Sequence, residues 1–210
     1  RVELGKSTEY GGSGALSSLQ MAVADIKQGN IDVLVTAPIN KHNIQSENFA
    51  FPGHTEFLAS SFDSDEVLML MISEVMKVGV VTGHVPISQV PQLITVDAIL
   101  KKLRVLDKAL REDFAIRRPR IAVLGLNPHA GDQGVIGAEE QNIIIPAIKQ
   151  ANSEGIVALG PYPADGFFGS ENFAKFDAIL AMYHDQGLAP FKAMSFDTGV
   201  NYTAGLPVVR

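Results

Sequence analysis

The segment from Arg120 to Leu126 is a continuous apolar run, bracketed by Pro119 ahead and Asn127-Pro128 behind. A strand without a polar face has to be covered on both sides, as parallel strands are when they lie between layers of helix. Asp177 to Met182 has the same character and ends at Tyr183-His184-Asp185, while Ile156 to Leu159 reads as a shorter strand. Helical stretches separate these runs. Between Ser13 and Gln28, Leu16, Leu19, Val23 and Ile26 recur at three- and four-residue spacing, and Gly29-Asn30 supplies a stop. Thr95 to Phe114 aligns Val96, Ile99, Leu103, Leu106 and Leu110 on one face, with Thr95 placed as N-cap and Asp97 in the first turn. Glu139 to Ala151 also reads as helix. The alternation predicts an α/β fold with a largely parallel sheet and flanking helices.

Two further features complete the outline. Val67 to Ser73 and Met76 to Thr82 are apolar strands joined by a brief polar turn around Glu74, which makes a hairpin the simplest connection. Ile31 to Thr36 is rich in β-branched residues and reads as a strand ending before Pro38, and His54 to Phe62 reads as a short helix opening at Gly53. No internal repeat, low-complexity run or linker divides residues 1–210, so no internal boundary is assigned. The start, Arg1-Val2-Glu3-Leu4-Gly5, has neither a methionine nor a signal pattern, and Leu206-Pro207-Val208-Val209-Arg210 stops inside a strand or loop. The chain therefore reads as the central portion of a longer subunit, trimmed at both ends.

Charge and composition narrow the function. A formal charge of −6 and a pI near 5.3 leave no basic surface for a phosphate backbone, so nucleic acid is not an expected partner. The longest apolar stretch, Val67 to Ile72, falls far short of the roughly 20 residues that cross a bilayer, and no membrane is expected either. Cysteine is absent, which fits a reducing cytoplasm and leaves imidazole and carboxylate as the ligands for any transition metal.

Against that background the histidines stand out. Four of the five lie in Gly/Pro-rich loops or at the carboxyl ends of expected strands: Pro52-Gly53-His54-Thr55, Thr82-Gly83-His84-Val85-Pro86, Asn127-Pro128-His129-Ala130-Gly131 and Tyr183-His184-Asp185-Gln186-Gly187. Open α/β sheets bind ligands beyond the carboxyl ends of their strands, so histidines delivered there converge although far apart in sequence. Three imidazoles with open coordination positions can hold a cation that polarises a substrate oxygen. His42, beside Lys41 at an expected helix start, reads instead as solvated.

Thr36-Ala37-Pro38-Ile39-Asn40-Lys41, Gly53-His54-Thr55-Glu56-Phe57, Leu126-Asn127-Pro128-His129-Ala130-Gly131 and Leu180-Ala181-Met182-Tyr183-His184-Asp185-Gln186-Gly187 resemble, in order and spacing, the signature segments of the 4-hydroxythreonine-4-phosphate dehydrogenase family. The resemblance extends through Gly199-Val200-Asn201 and Gly205-Leu206-Pro207 to Arg210. It implies a fold like that of the isocitrate and isopropylmalate dehydrogenases. It also implies a divalent metal (Zn, Mg or Co) held by His84, His129 and His184, with ligands drawn from both subunits of a homodimer. His54, Thr55, Lys192, Asn201 and Arg210 take the positions that bind a small phosphorylated substrate. Lys192 and Arg210 bring positive charge and Thr55 and Asn201 neutral donors, as a phosphate site requires. By residue type alone, Lys192 and Arg210 also read as solvated charges, and Asn201 as a turn residue. Asp165, in Pro163-Ala164-Asp165-Gly166, reads as a turn former or as the acidic residue the family carries near its metal.

The implied reaction is oxidation of 4-phosphooxy-L-threonine by NAD or NADP, with decarboxylation to 3-amino-2-oxopropyl phosphate in vitamin B6 synthesis. A cation would stabilise the developing alkoxide and then the enolate, and Lys192 and Asp165 are the candidates for catalytic proton transfer. No GxGxxG fingerprint occurs, and Gly11-Gly12-Ser13-Gly14 does not follow a convincing strand, so no cofactor-binding residue is assigned. Three other readings stay open: a related dehydrogenase acting on a phosphorylated threonate or another four-carbon hydroxy acid, a metal-dependent hydrolase, and a non-catalytic metal- and phosphate-binding module.

Overall fold

The computed structural model describes residues 5–64 and 66–210, so the opening Arg1-Val2-Glu3-Leu4, read above for a targeting pattern, lies outside the described residues. The chain forms two compact units, one from 1–67 with 206–210 and the other from 68–205.

In the first unit, α1 (Glu9–Lys27) starts four residues earlier than its apolar stripe suggests, because the Thr8 side chain accepts from the Gly11 amide and caps it. Leu16, Leu19 and Val23 are buried on one face and pack with Ile44, Phe49, Phe57 and Leu58. The glycine cluster at residues 11–14 is helix interior, not a phosphate loop. The short α2 (His54–Ser61) opens after Gly53 as expected. Ile31 to Thr36 is not a strand. Leu34 donates to the Val209 carbonyl and Val33 makes one isolated bridge to Val209, but Val35 is 90% exposed. β-Branched residues favour a strand only where a ladder and a covered face await them, and this segment has one isolated bridge, with Leu34 alone packed against the core. His42 is exposed in a turn, not a helix start, where Asn40 Oδ1 accepts from its amide.

The second unit is built on a six-stranded sheet. Its strands are β1 (Leu68–Ile72), β2 (Lys77–Thr82), β3 (Arg120–Leu124), β4 (Val157–Tyr162), β5 (Ala178–Tyr183) and β6 (Val200–Ala204), in the order β4-β3-β5-β2-β1-β6. The four strands β4, β3, β5 and β2 are mutually parallel, whereas β1 pairs antiparallel with both β2 and β6. The expected hairpin is present, with Ile72 opposite Lys77. A short α3 (Val90–Leu93) leads to α4 (Val96–Glu112), whose Thr95 cap accepts from the Ala98 amide. Ile99, Leu103, Leu106 and Leu110 of α4, with Ala147 and Ile148 of α5 (Ile145–Ser153), cover Ile121, Val123 and Leu180 on one face of the sheet. Phe167 of α6 (Ala164–Gly169) and Leu188 and Phe191 of α7 (His184–Ser195) cover Ala122, Leu124, Ile179 and Ala181 on the other. Alternate residues of β3 and β5 thus enter opposite cores, which is why both read as unbroken apolar runs. Asp165 lies in the first turn of α6, so the turn-former reading is corrected.

Helix α7 sits unusually close to the sheet at Gly187, where a Cβ would fall 2.7 Å from Val78 Cγ1 and 3.0 Å from Ala181 Cβ. Among the described residues no helix is long and apolar enough to cross a membrane. Gly187→Ala gains about 1 kcal/mol of helix propensity but overpacks a β-sheet contact at a cost of about 1–3 kcal/mol. Urea denaturation should therefore show a net loss of stability for this variant; a rise in midpoint would mean that α7 is free to move off the sheet.

Candidate metal centre and anion site

The parallel ladder brings three histidines to one end of the second unit. Strands β3, β5 and β2 are neighbours, and His129, His184 and His84 follow their carboxyl ends. In the β2/β5 register Thr82 lies opposite Tyr183, and the Thr82 hydroxyl donates to the Met182 carbonyl at 2.9 Å. One residue beyond Tyr183 and two beyond Thr82, the rings of His184 and His84 meet with centroids 5.5 Å apart. Two imidazoles sharing one cation through tetrahedral bonds of about 2.0–2.1 Å have ring centres about 5 Å apart, a spacing this pair approaches. Asp185 Oδ1 lies 2.7 Å from His184 Nδ1. A carboxylate beside Nδ1 favours the tautomer with its proton there, the one that would leave Nε2 for a metal.

His129 arrives by a different backbone path. Residues 129–133 all have positive φ, between 42° and 77°, which makes a left-handed turn containing four non-glycine residues. That conformation costs roughly 1–2 kcal/mol for each L-residue with a Cβ, so the surroundings must enforce it. Among the described residues no three His, Asp or Glu side chains are gathered tightly enough to hold a metal ion within the single chain. Asp165 is exposed in the first turn of α6, the helix that follows the carboxyl end of the neighbouring strand β4 and touches the 128–134 segment. Lys192 is exposed in the last turn of α7, eight residues and so about 12 Å of helix rise from His184. Asn201 is exposed on β6, opposite Met71.

In the first unit a second group of expected site residues assembles. His54 is the first residue of α2, behind Gly53, which offers no side-chain cap and leaves first-turn N–H groups available. His54 Nε2 is buried and has no hydrogen-bond partner among the described residues. Burial, and then the positive charges of Arg210 and Lys41, hold the His54 pKa below its ordinary value of 6.5. Arg210 donates to the Thr36 hydroxyl at 3.1 Å, and Glu56 is the carboxylate that most opposes the effect of burial on its guanidinium. Two cations, an orphaned imidazole nitrogen and a helix N-terminus suit a small anion. Thr55 stands next in the same turn, half-buried.

Sequence reasoning overlooked the residues that hold this machinery. Glu140, 1% exposed, accepts from the amides of Leu126 and Asn127 at 2.7 Å each. Gln186 accepts from the Met182 amide at 2.7 Å and donates to the Gly125 carbonyl at 2.6 Å, so its side chain stands in the ladder between β5 and β3. One signal for Glu140 was present: it falls in helical phase with Ile144, Ala147, Ile148 and Ala151, all buried, and a carboxylate on an apolar stripe needs a partner.

Comparison with known proteins agrees with this geometry. Residues 1–210 match the model of the family described as "Pyridoxal phosphate biosynthetic protein PdxA". A 4-hydroxythreonine-4-phosphate dehydrogenase of Bacteroides thetaiotaomicron is 53% identical across 100% of this chain and 58% of its own length. One from Erythrobacter litoralis is 46% identical, covering 93% of this chain and 59% of its own. The crystal structure of the Klebsiella pneumoniae enzyme superposes with a TM-score of 0.89 at 35% identity, covering 100% of this chain and 64% of the other. The chain therefore spans 58% to 64% of the length of these relatives. With the ordered motifs, the sheet and the family match in agreement, the chain belongs to the PdxA family of pyridoxal phosphate biosynthetic proteins.

Proposed function

We propose that this chain is the central part of a dehydrogenase that oxidises 4-phosphooxy-L-threonine with NAD or NADP and releases carbon dioxide, in a cytoplasmic homodimer. The observation that carries the reading is the delivery of His129, His184 and His84 from three adjacent parallel strands, with two of the rings near ligand-pair spacing. His84, His129 and His184 would hold a divalent cation, a second subunit supplying at least one of them. When bound, such a cation supplies Lewis-acid polarisation of the substrate's secondary hydroxyl. Asp185 orients the His184 ring. Arg210, His54 and Thr55 bind the phosphate, and Lys192 and Asn201 are further substrate contacts. Asp165 and Lys192 are the proposed proton carriers. For the nicotinamide no contact residue is assigned, and the resemblance to the dehydrogenase family is what supports the cofactor.

Two experiments on the full-length protein test this reading. With 4-phosphooxy-L-threonine, NAD and a divalent metal, His129→Ala should abolish reduction of the nicotinamide. Arg210→Ala should chiefly raise KM, by roughly ten- to a hundred-fold, since a hydrogen bond to a charged group contributes about 1.5–3 kcal/mol. Wild-type activity in His129→Ala contradicts the ligand assignment, product without reduced nicotinamide supports a hydrolase, and preference for a phosphorylated threonate moves the substrate within the same class.

The depressed His54 pKa adds a pH test with a defined sign. In the unfolded chain this imidazole takes up a proton near 6.5, and in the folded protein only at lower pH. Its contribution to stability is therefore complete above 6.5 and is lost as the pH falls from 6.5 through the folded value. A bound phosphate monoester favours the imidazolium, so binding takes up a proton in the same window. Phosphate affinity should rise on acidification below 6.5 more steeply in the wild type than in His54→Gln, measured by calorimetry; parallel profiles would remove His54 from the anion site.

A further inference from the structure

The left-handed turn that carries His129 needs an anchor, and the anchor is a buried acid the reaction scheme does not use. From β3 the chain enters Gly125-Leu126-Asn127, and each of these residues is gripped. The Gly125 amide donates to the Tyr162 carbonyl at 2.8 Å and its carbonyl accepts from Gln186 Nε2. The amides of Leu126 and Asn127 both donate to Glu140 Oε1. Asn127 Nδ2 donates to Glu140 Oε2 at 3.0 Å and to Glu139 Oε2 at 2.7 Å. Past the grip, Pro128 leads into the positive-φ residues, and the turn wraps back over the same carboxylate. At Gly131, with φ +77°, a Cβ would fall 2.5 Å from Glu140 Oε2. Glu140 itself is held by a π turn over Glu140–Ile144, where Pro146 lacks the N–H that a regular α-helix would use.

We propose that Glu140 is a positioning residue for metal ligation: its carboxylate locks Leu126-Asn127 and so sets the direction from which His129 presents its imidazole. The inference rests on the reading of His129 as a metal ligand. Beside this clamp a second side chain holds the end of β5, the strand that leads to His184. Gln186, two residues after His184, grips Gly125 directly and holds the end of β5 through the Met182 amide. Through Gly125 to Asn127, the strand ends that carry His129 and His184 form one hydrogen-bonded unit with Glu140 at its base. Outer-shell groups that orient ligands in this way change metal affinity by about 10- to 100-fold when altered.

Glu140→Gln separates the possibilities. It keeps a carbonyl oxygen for the two backbone amides but turns an NH2 group toward Asn127 Nδ2, donor against donor. Co2+ is titrated into metal-free full-length wild type and Glu140→Gln, following affinity and the visible spectrum, with urea unfolding of both metal-free proteins as the control for folding. The expected result is a folded variant that binds Co2+ about 10- to 100-fold more weakly and with an altered visible band. A folded variant with wild-type affinity and spectrum, whatever its urea midpoint, overturns the proposal and leaves Glu140 a purely structural acid. A folded wild type that binds no Co2+ overturns the ligand reading itself, a distinct result. Where Glu140→Gln does not fold, hydrogen exchange of the wild type decides: Zn2+ should slow exchange at Leu126 and Asn127 several-fold, and unchanged exchange there overturns the proposal.

Discussion

The parallel pairing of β3, β5 and β2 is the constraint on which the candidate chemistry depends. Parallel strands end at the same side of a sheet, so whatever each sequence places just after its strand is brought to one rim. Here the register sets Thr82 opposite Tyr183 and Val123 opposite Leu180. Continued past the strand ends, it brings His84 and His184 within a residue of each other and would put Asn127, not His129, opposite His184. The left-handed turn accounts for the two residues of overshoot. A right-handed path is the default for these residue types, so the turn exists because Glu140, Asn127 and Gly131 determine it together.

The two units meet different physical demands. In the sheet unit, strands are buried between α4 and α5 on one side and α6 and α7 on the other, and the candidate histidines follow the strand ends on short connections. In the first unit the demand is electrostatic. Burial, and then the charges of Arg210 and Lys41, make His54 reluctant to take a proton, and its Nε2 has no hydrogen-bond partner among the described residues. An anion would relieve both conditions at once, which is a stronger argument for a phosphate subsite than the presence of an arginine alone.

Much of this was legible beforehand where pattern and packing agree. The stripe from Val96 to Leu110 with its Thr95 cap, the hairpin around Glu74, and the unbroken runs at Arg120 and Asp177 all correspond to elements whose burial matches their periodicity. Ile31 to Thr36 was over-read because β-branching reports a preference, not a partner. Helix α7 was hidden by Gly187 and Pro190, residues that look like breakers but here allow a close approach and lie within the helix. Strand β6 was hidden by its mixed polarity at the edge of the sheet. Histidine positions were legible because strand ends are; Glu140 and Gln186 were not, because their importance lies in backbone groups whose orientation only the folded chain defines.

The central claim is that imidazoles from these strand ends share one cation. X-ray absorption at the zinc edge of the zinc-loaded full-length protein measures that shell directly. The account predicts imidazole nitrogens at about 2.0–2.1 Å, with the outer-ring scattering that identifies histidine. A shell of oxygen alone, or zinc that washes out of a folded protein at neutral pH, would contradict it.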